Sequence, residues 1–179
     1  MLKRVVAIVV FLSQVITSFS LGVLNTRVDP VNYGGTPRVE PVITKWLTLI
    51  EGGESDYVIV KGAACTPSEA TAARELQTLL QQISGKRLEL VEDTARVRDK
   101  EILVGKTNRE GDGFTSDRAA LGDEGFTVMV RGQKLIIAGG ELRGTLYGVY
   151  TFLEEQLGCR WFTPKISVIP NSPTVRIDA

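Results

Sequence analysis

Histidine is absent from all 179 residues. Imidazole is the commonest general base and metal ligand near neutral pH. Its absence excludes Ser-His-Asp and Cys-His nucleophilic centres and most zinc sites. Cysteine is nearly as scarce. Cys65 and Cys159 stand alone, so no Cys-x-x-Cys pair supplies metal-ligand or redox spacing. Charge of one sign is not in excess either. Lys and Arg together number 21, as do Asp and Glu, and the formal net charge is zero. A nucleic-acid partner would call for a basic footprint, and none is present. No long single-sign run occurs, and no unbroken apolar run reaches the roughly 20 residues of a membrane span. What is present is ordinary globular material, 43% hydrophobic and 23% charged, enough to build the core of one domain with additional segments.

The first residues follow a targeting pattern. Lys3 and Arg4 form a short basic start, Val5 to Leu12 is apolar, and Val15-Ile16 continues the stretch more weakly. Ser18-Phe19-Ser20 resembles a small-x-small cleavage site. The pattern predicts a signal peptide over 1–20 that is cleaved, a secreted or periplasmic protein in an oxidising compartment, and no stable membrane span after cleavage. Residues 21–44 read as a linker, because Asp29-Pro30, Gly34-Gly35, Pro37 and Pro41 break regular structure. The compact domain is expected over 45–179.

Within it, Trp46 to Ile50 and Tyr57 to Val60 read as strands, the second apolar on both faces and so central. Thr66, Pro67 and Glu69 are suited to start a helix with a capping box. Leu76, Leu79, Leu80 and Ile83 fall on one face of it, and Gly85 is placed to end it in a left-handed conformation. Leu88 to Leu90 and Ile102 to Val104 are short strands. Phe126 to Val130 and Leu135 to Ala138 form a hairpin about Arg131-Gly132-Gln133. A second helix is predicted from about Leu142 to Leu157, with a stripe of Leu146, Val149, Tyr150, Leu153 and Leu157, stopped by Gly158. Ile166 to Ile169 and Thr174 to Ile177 are terminal strands. The sum is an α+β sandwich, a mixed sheet with two main helices packed on one face.

The chemistry-bearing motifs weigh towards structure. Gly105-Lys106-Thr107 follows a strand, as in a phosphate-binding loop. Such a loop needs a glycine where Lys100 stands, and loop composition rather than a helix follows. Gly139-Gly140 with Gly144 lies between strand and helix, where backbone N–H groups can hold an anion. A tight turn with close helix–sheet packing explains the same glycines. Glycosidase chemistry needs two facing carboxyls about 5–10 Å apart. Asp123-Glu124 and Glu154-Glu155 are adjacent pairs whose side chains diverge on a strand or a helix. Cys65 and Cys159 are read as free thiols in preference to a disulfide, whose geometry is not legible here. Arg160-Trp161-Phe162 is either a cap on the core or a contact surface, since aromatics with a neighbouring Arg suit interfaces and sugar platforms.

An ordered set of blocks resembles a known domain. Ser55 to Val60, Thr66-Pro67-Ser68-Glu69, Ala72 to Leu76, Glu101 to Gly105, Gly125-Phe126-Thr127 and Leu135 to Gly140 lead to Arg143 to Glu155 and Leu157 to Phe162. Together they resemble the N-terminal domain of family 67 glycoside hydrolases, the α-glucuronidases. The same domain type is similar to the second domain of bacterial β-hexosaminidases, and the likeness covers about Trp46 to Ile177. The resemblance implies sugar cleavage in the parent enzymes, which remove glucuronic acid side groups from xylan-derived material. Their catalytic carboxylates lie in a (β/α)8 barrel, a fold of at least about 200 residues, and have no counterparts in these residues.

The expectation is therefore a non-catalytic accessory domain of a glycoside hydrolase. Its partner is a catalytic (β/α)8 barrel or a polysaccharide, it needs no cofactor or metal, and Arg160, Trp161 and Phe162 form its docking or glycan contact. The alternative is a free extracellular carbohydrate-binding module using Trp161, Tyr57 or Tyr33. A small enzyme in its own right is disfavoured by the missing histidine and the missing carboxylate pair.

Overall fold

A computed structural model describes residues 46–110, 118–163 and 165–179. The expected signal peptide, the whole of the 21–44 linker with Tyr33, and Lys45 lie outside these residues. In chain order the elements are β1 (Trp46–Ile50), β2 (Val58–Lys61), α1 (Pro67–Ser84), β3 (Glu89–Glu92), β4 (Glu101–Val104), α2 (Arg118–Leu121), β5 (Phe126–Arg131), β6 (Lys134–Gly139), α3 (Gly144–Glu155), β7 (Arg160–Thr163), β8 (Ile166–Val168) and β9 (Val175–Asp178). The central sheet runs β3-β2-β4-β6-β5. Its first four strands are parallel, and β5 joins as the antiparallel arm of the hairpin with β6. Two small antiparallel ribbons, β1-β9 and β7-β8, complete the fold. This is the α+β mixed sheet read from the sequence.

The sheet is parallel at its centre because β2, β4 and β6 are apolar on both faces and must be covered on both. Ile59, Ile102, Val104, Leu135 and Ile137 line the first face and pack with Leu76, Leu80 and Ile83 of α1 and with Val149, Phe152 and Leu153 of α3. Leu49, Ile50, Val175 and Ile177 of the β1-β9 ribbon close the same core. The other face carries Val58, Val60, Leu103, Ile136 and Ala138. By strand alternation and register, Glu101 and its partner strand's Lys134 stand on this second face as well. Residues 93–100 must cross from the end of β3 past β2 to the start of β4. Arg98 N–H donates to Glu101 at 2.8 Å, and Arg109 bridges Glu101 and the Ala95 carbonyl. The crossover therefore runs along the second face, tied to a fully buried carboxylate.

Helix α1 forms as its sequence directs. The Thr66 side chain accepts from Glu69 N–H, the Glu69 carboxylate accepts from Thr66 N–H, Pro67 opens the first turn, and Gly85 ends it at φ 78°. Helix α3 departs from expectation. It spans Gly144–Glu155 rather than 142–157, and its buried residues are Gly144, Thr145, Gly148, Val149, Phe152 and Leu153. Leu146, Tyr150 and Leu157 sit only at the margin of the core. The glycines are the reason. A Cβ on Gly148 would stand 3.0 Å from Ile137 and 3.2 Å from Phe126, so the helix meets the sheet on its smallest residues. Gly158 adopts a left-handed φ of 76°, which lets Cys159 N–H reach the Leu153 carbonyl.

Both cysteines are free. Each main helix descends from the end of a strand, β2 or β6, and those strands are parallel. Cys65 before α1 and Cys159 after α3 therefore lie at opposite ends of the domain. Twelve helical residues separate those ends by about 18 Å, whereas a disulfide needs Cα atoms within about 7 Å. Cys159 is buried, and burial pushes its thiol above the ordinary value, whereas Cys65 is half-buried. A thiol reagent at pH 8 is expected to label one cysteine per chain quickly, Cys65, and the second only on unfolding. Two fast equivalents would contradict the packing.

Candidate functional site

In open α/β sheets, ligands enter the crevice beyond the strand C-termini where neighbouring connections leave in opposite directions. Here that point lies between β2, whose chain leaves towards β3, and β4, whose chain leaves towards β6. The protein fills it with its own carboxylates. Glu69 is buried, and its carboxylate accepts from Thr66 N–H at 2.8 Å and Lys106 N–H at 2.7 Å. Arg118 stands 4.0 Å from it, pairs with Glu110 and donates to the Gly139 carbonyl. Asp93 bridges the two loops, accepting from Ala63 N–H at 2.9 Å and Asn108 N–H at 2.7 Å. A carboxylate at a helix N-terminus takes the place an external anion would occupy.

This explains both glycine motifs. At Gly105-Lys106-Thr107 the Lys106 amide is already bound by Glu69. Gly105 has φ 76°, and a Cβ there would collide with the Glu69 side chain. The loop is a strand end clamped to a helix start. At Gly139-Gly140 and Gly144 the backbone is packed against backbone. A Cβ on Gly140 would run into the Gly122 carbonyl, one on Gly144 into the Gly125 carbonyl, and one on Gly139 into the Thr145 amide. The Leu142 and Arg143 amides are held by the Asp123 carbonyl. Thr145 Oγ1 is buried there without a hydrogen-bond partner.

The carboxylate pairs do not converge. Glu124 pairs with Arg143, while Glu154 and Glu155 are exposed. One described cavity, of about 340 Å3, is lined by Thr48, Glu51, Glu54, Asp56, Tyr57 and Lys100 among others. Its acids are matched to bases at 2.6–2.9 Å: Asp56 to Lys100, Glu54 to Lys86 and Glu51 to Arg176. The hydrogen bond and charge of Lys100 hold the Asp56 carboxyl below its usual range. Among the described residues no group of three or more His, Cys, Asp or Glu is placed to hold a metal ion, and no helix is long and apolar enough to cross a membrane.

The three predicted contact residues fall on β7 and face different ways. Trp161 is half-buried, packs on the core and meets Tyr150 edge to face at 5.0 Å between ring centres. Tyr150 in turn donates to Glu75 at 3.1 Å. Arg160 turns back to donate to the Glu154 and Cys159 carbonyls at the end of α3. Phe162 points outward, 66% exposed. Tyr57, the other aromatic considered for sugar stacking, is 4% exposed and offers no ring face.

Sequence reasoning missed Glu101 and the second role of Glu69. The alternation Glu101, Leu103 beside Lys134, Ile136 was the available signal for the first. Nothing local reports that Glu69 reaches Lys106, 37 residues away.

Comparison with known proteins accords with this fold. The sequence model described as glycosyl hydrolase family 67 N-terminus matches residues 53–152, from the β1–β2 turn to the core of α3. A relative named "Probable alpha-glucuronidase A", from Neosartorya fischeri, is 37% identical over 119 residues. Those residues are 65% of this chain but 14% of that protein, so the chain spans only a small part of the curated relative it matches. Because the match takes in α1, most of α3 and the whole central sheet, the chain belongs to the family of glycosyl hydrolase family 67 N-terminal domains.

Proposed function

We propose that this domain is a non-catalytic accessory unit of an α-glucuronidase-like glycoside hydrolase. It would serve the removal of glucuronic acid from xylan-derived material by supporting a catalytic (β/α)8 barrel. We further propose that it works outside the cytoplasm, after cleavage near Leu21, as a domain over 45–179 whose β7 segment, Arg160 to Phe162, meets the barrel. The observation that carries the reading is the state of its buried acids. Glu69 and Glu101 are held by backbone amides and cations, whereas a glycosidase needs two acids facing a sugar.

The reading is tested with the Neosartorya fischeri relative from which the matched 119 residues have been removed. Adding this chain is expected to lengthen the thermal half-life of that catalytic part and raise its release of glucuronic acid. No change in either at saturating chain would count against the accessory role. The alternative, a free carbohydrate-binding module, draws among the described residues on exposed Phe162 and Trp46, and glycan binding by the isolated chain would favour it.

A further inference from the structure

We propose that the outer edge of β5 is a self-association surface, to which a second copy of this chain adds its own β5, antiparallel, about a two-fold axis. The inference goes beyond the accessory reading and does not depend on it. Arg131 and Lys134 close a two-residue turn on Gly132, whose φ is 58°. In such a hairpin the closing pair exchanges hydrogen bonds, and every second pair repeats the exchange. Arg131, Met129 and Thr127 therefore bond to β6, and the bond from the Gly140 amide to the Gly125 carbonyl continues the series. The N–H and C=O groups of Phe126, Val128 and Val130 point the other way, out of the sheet. Among the described residues nothing hydrogen-bonds to them.

Free strand edges are ordinarily guarded by charge, proline or a bulge. The other sheet edge and the two ribbons follow that rule. β3 opens and closes on Glu89 and Glu92, which pair with Arg98 and Lys61. Both ribbons carry an irregularity in their pairing. β5 has neither protection. It reads Phe-Thr-Val-Met-Val before Arg131, pairs with β6 in unbroken register, and holds Val128, Met129 and Val130 half-buried. An unguarded, regular strand of six residues is a template for another strand.

Self-complementarity selects a second β5 as the occupant. A two-fold axis through Val128, perpendicular to the sheet, overlaps the two edges in full. It sets Val128 against Val128, Val130 against Phe126 and Met129 against Thr127, cross-strand pairs that suit both faces. The same axis carries Arg131 to the 123–125 turn of the other copy. Neither the Arg131 side chain nor the exposed Asp123 carboxylate has an ion-pair partner among the described residues. Antiparallel pairing therefore joins two unmatched charges of opposite sign, once at each end of the interface. Helix α3, which lies on β5 and β6, is brought beside its counterpart on the same face and extends the contact beyond the strands. A strand pair by itself is smaller than a standard interface of about 1,200–2,000 Å2, so the dimer is expected to depend on concentration.

Sedimentation velocity of the chain over a concentration series tests this, with melting curves to confirm that each variant is folded. The natural chain is expected to pass from monomer to dimer. Val128→Pro and Arg131→Glu are each expected to weaken dimerisation by at least about tenfold, the first by removing an N–H that faces away from β6, the second by setting like charges together. If Val128→Pro does not fold, the charge variants decide alone. Asp123→Arg is expected to weaken dimerisation as Arg131→Glu does. A mixture of these two charge variants should nevertheless associate, because each then meets its opposite at both ends. A natural chain that stays monomeric at every concentration would overturn the proposal, as would a dimer unchanged by all three variants. Failure of the mixed charge variants to associate would overturn it too. A monomer whose Val128 and Val130 amides resist hydrogen exchange would assign the edge to another segment of the same chain, with the same result.

Discussion

Replacing Glu101 with alanine is expected to destabilise the domain by about 3–5 kcal/mol. The Glu101 side chain is wholly buried and the Arg109 side chain 3% exposed, and the carboxylate also takes Lys134 at 3.0 Å and the Arg98 amide. Removing it leaves a guanidinium out of water without its ion-pair partner, and burial already weakens that cation's hold on its proton. A domain whose whole stability is about 5–15 kcal/mol would feel this as a large fraction. Glu101→Gln keeps an acceptor for the Arg98 amide and is expected to lose less. Glu101→Leu with Arg109→Met removes both charges and should recover much of the loss, since apolar replacement of a buried pair is often neutral or better. Denaturant unfolding of the three variants checks the ordering. Equal, small effects in all three would show that the crossover over the second face is not held by this pair.

Gly140→Ala is expected to be comparably damaging, at about 3 kcal/mol or more, beyond the usual cost of overpacking. The added methyl would meet the Gly122 carbonyl and not a flexible side chain, so the turn before α2's successor strand and the start of α3 must separate. The Gly140 amide bond to the Gly125 carbonyl would go with it. Gly132→Ala is the contrast. Its Cβ would meet nothing within 4 Å, and only its φ of 58° is strained, so a smaller loss, about 1 kcal/mol, is expected. The melting temperatures of the two variants separate these outcomes. A Gly140→Ala protein as stable as the natural one would mean that the glycine turn has space to spare, and its reading as structural packing would fail.

These two sites mark how far the sequence could be read. Helix α1 was legible to its caps because Thr66, Pro67, Glu69 and Gly85 act locally. The hairpin of β5 and β6 was legible from alternation around Gly132. Helix α3 was misread because apolar periodicity counts Leu146, Tyr150 and Leu157 but cannot score Gly144 and Gly148, the residues that fix the contact with the sheet. Strand β7 was missed because it exists only by pairing with β8, and α2 because four residues carry no period. The contact triplet, read from the sequence only as following the helix stop, falls on this missed strand. Its division into an inward Trp161 and an outward Phe162 depends on the irregularity in pairing, which no local pattern announces.

The central proposal is that this domain acts without a hydrolytic centre of its own. It is tested most directly by incubating the purified chain with aldouronic acids and aryl glucuronides and measuring release of glucuronic acid. The account predicts no release above the uncatalysed rate at any pH from 4 to 9, because the buried Glu69 and Glu101 are bound and the exposed pairs do not converge on a sugar. Turnover that purifies with the chain and disappears on changing a single acid, such as Glu124→Gln or Glu155→Gln, would contradict it.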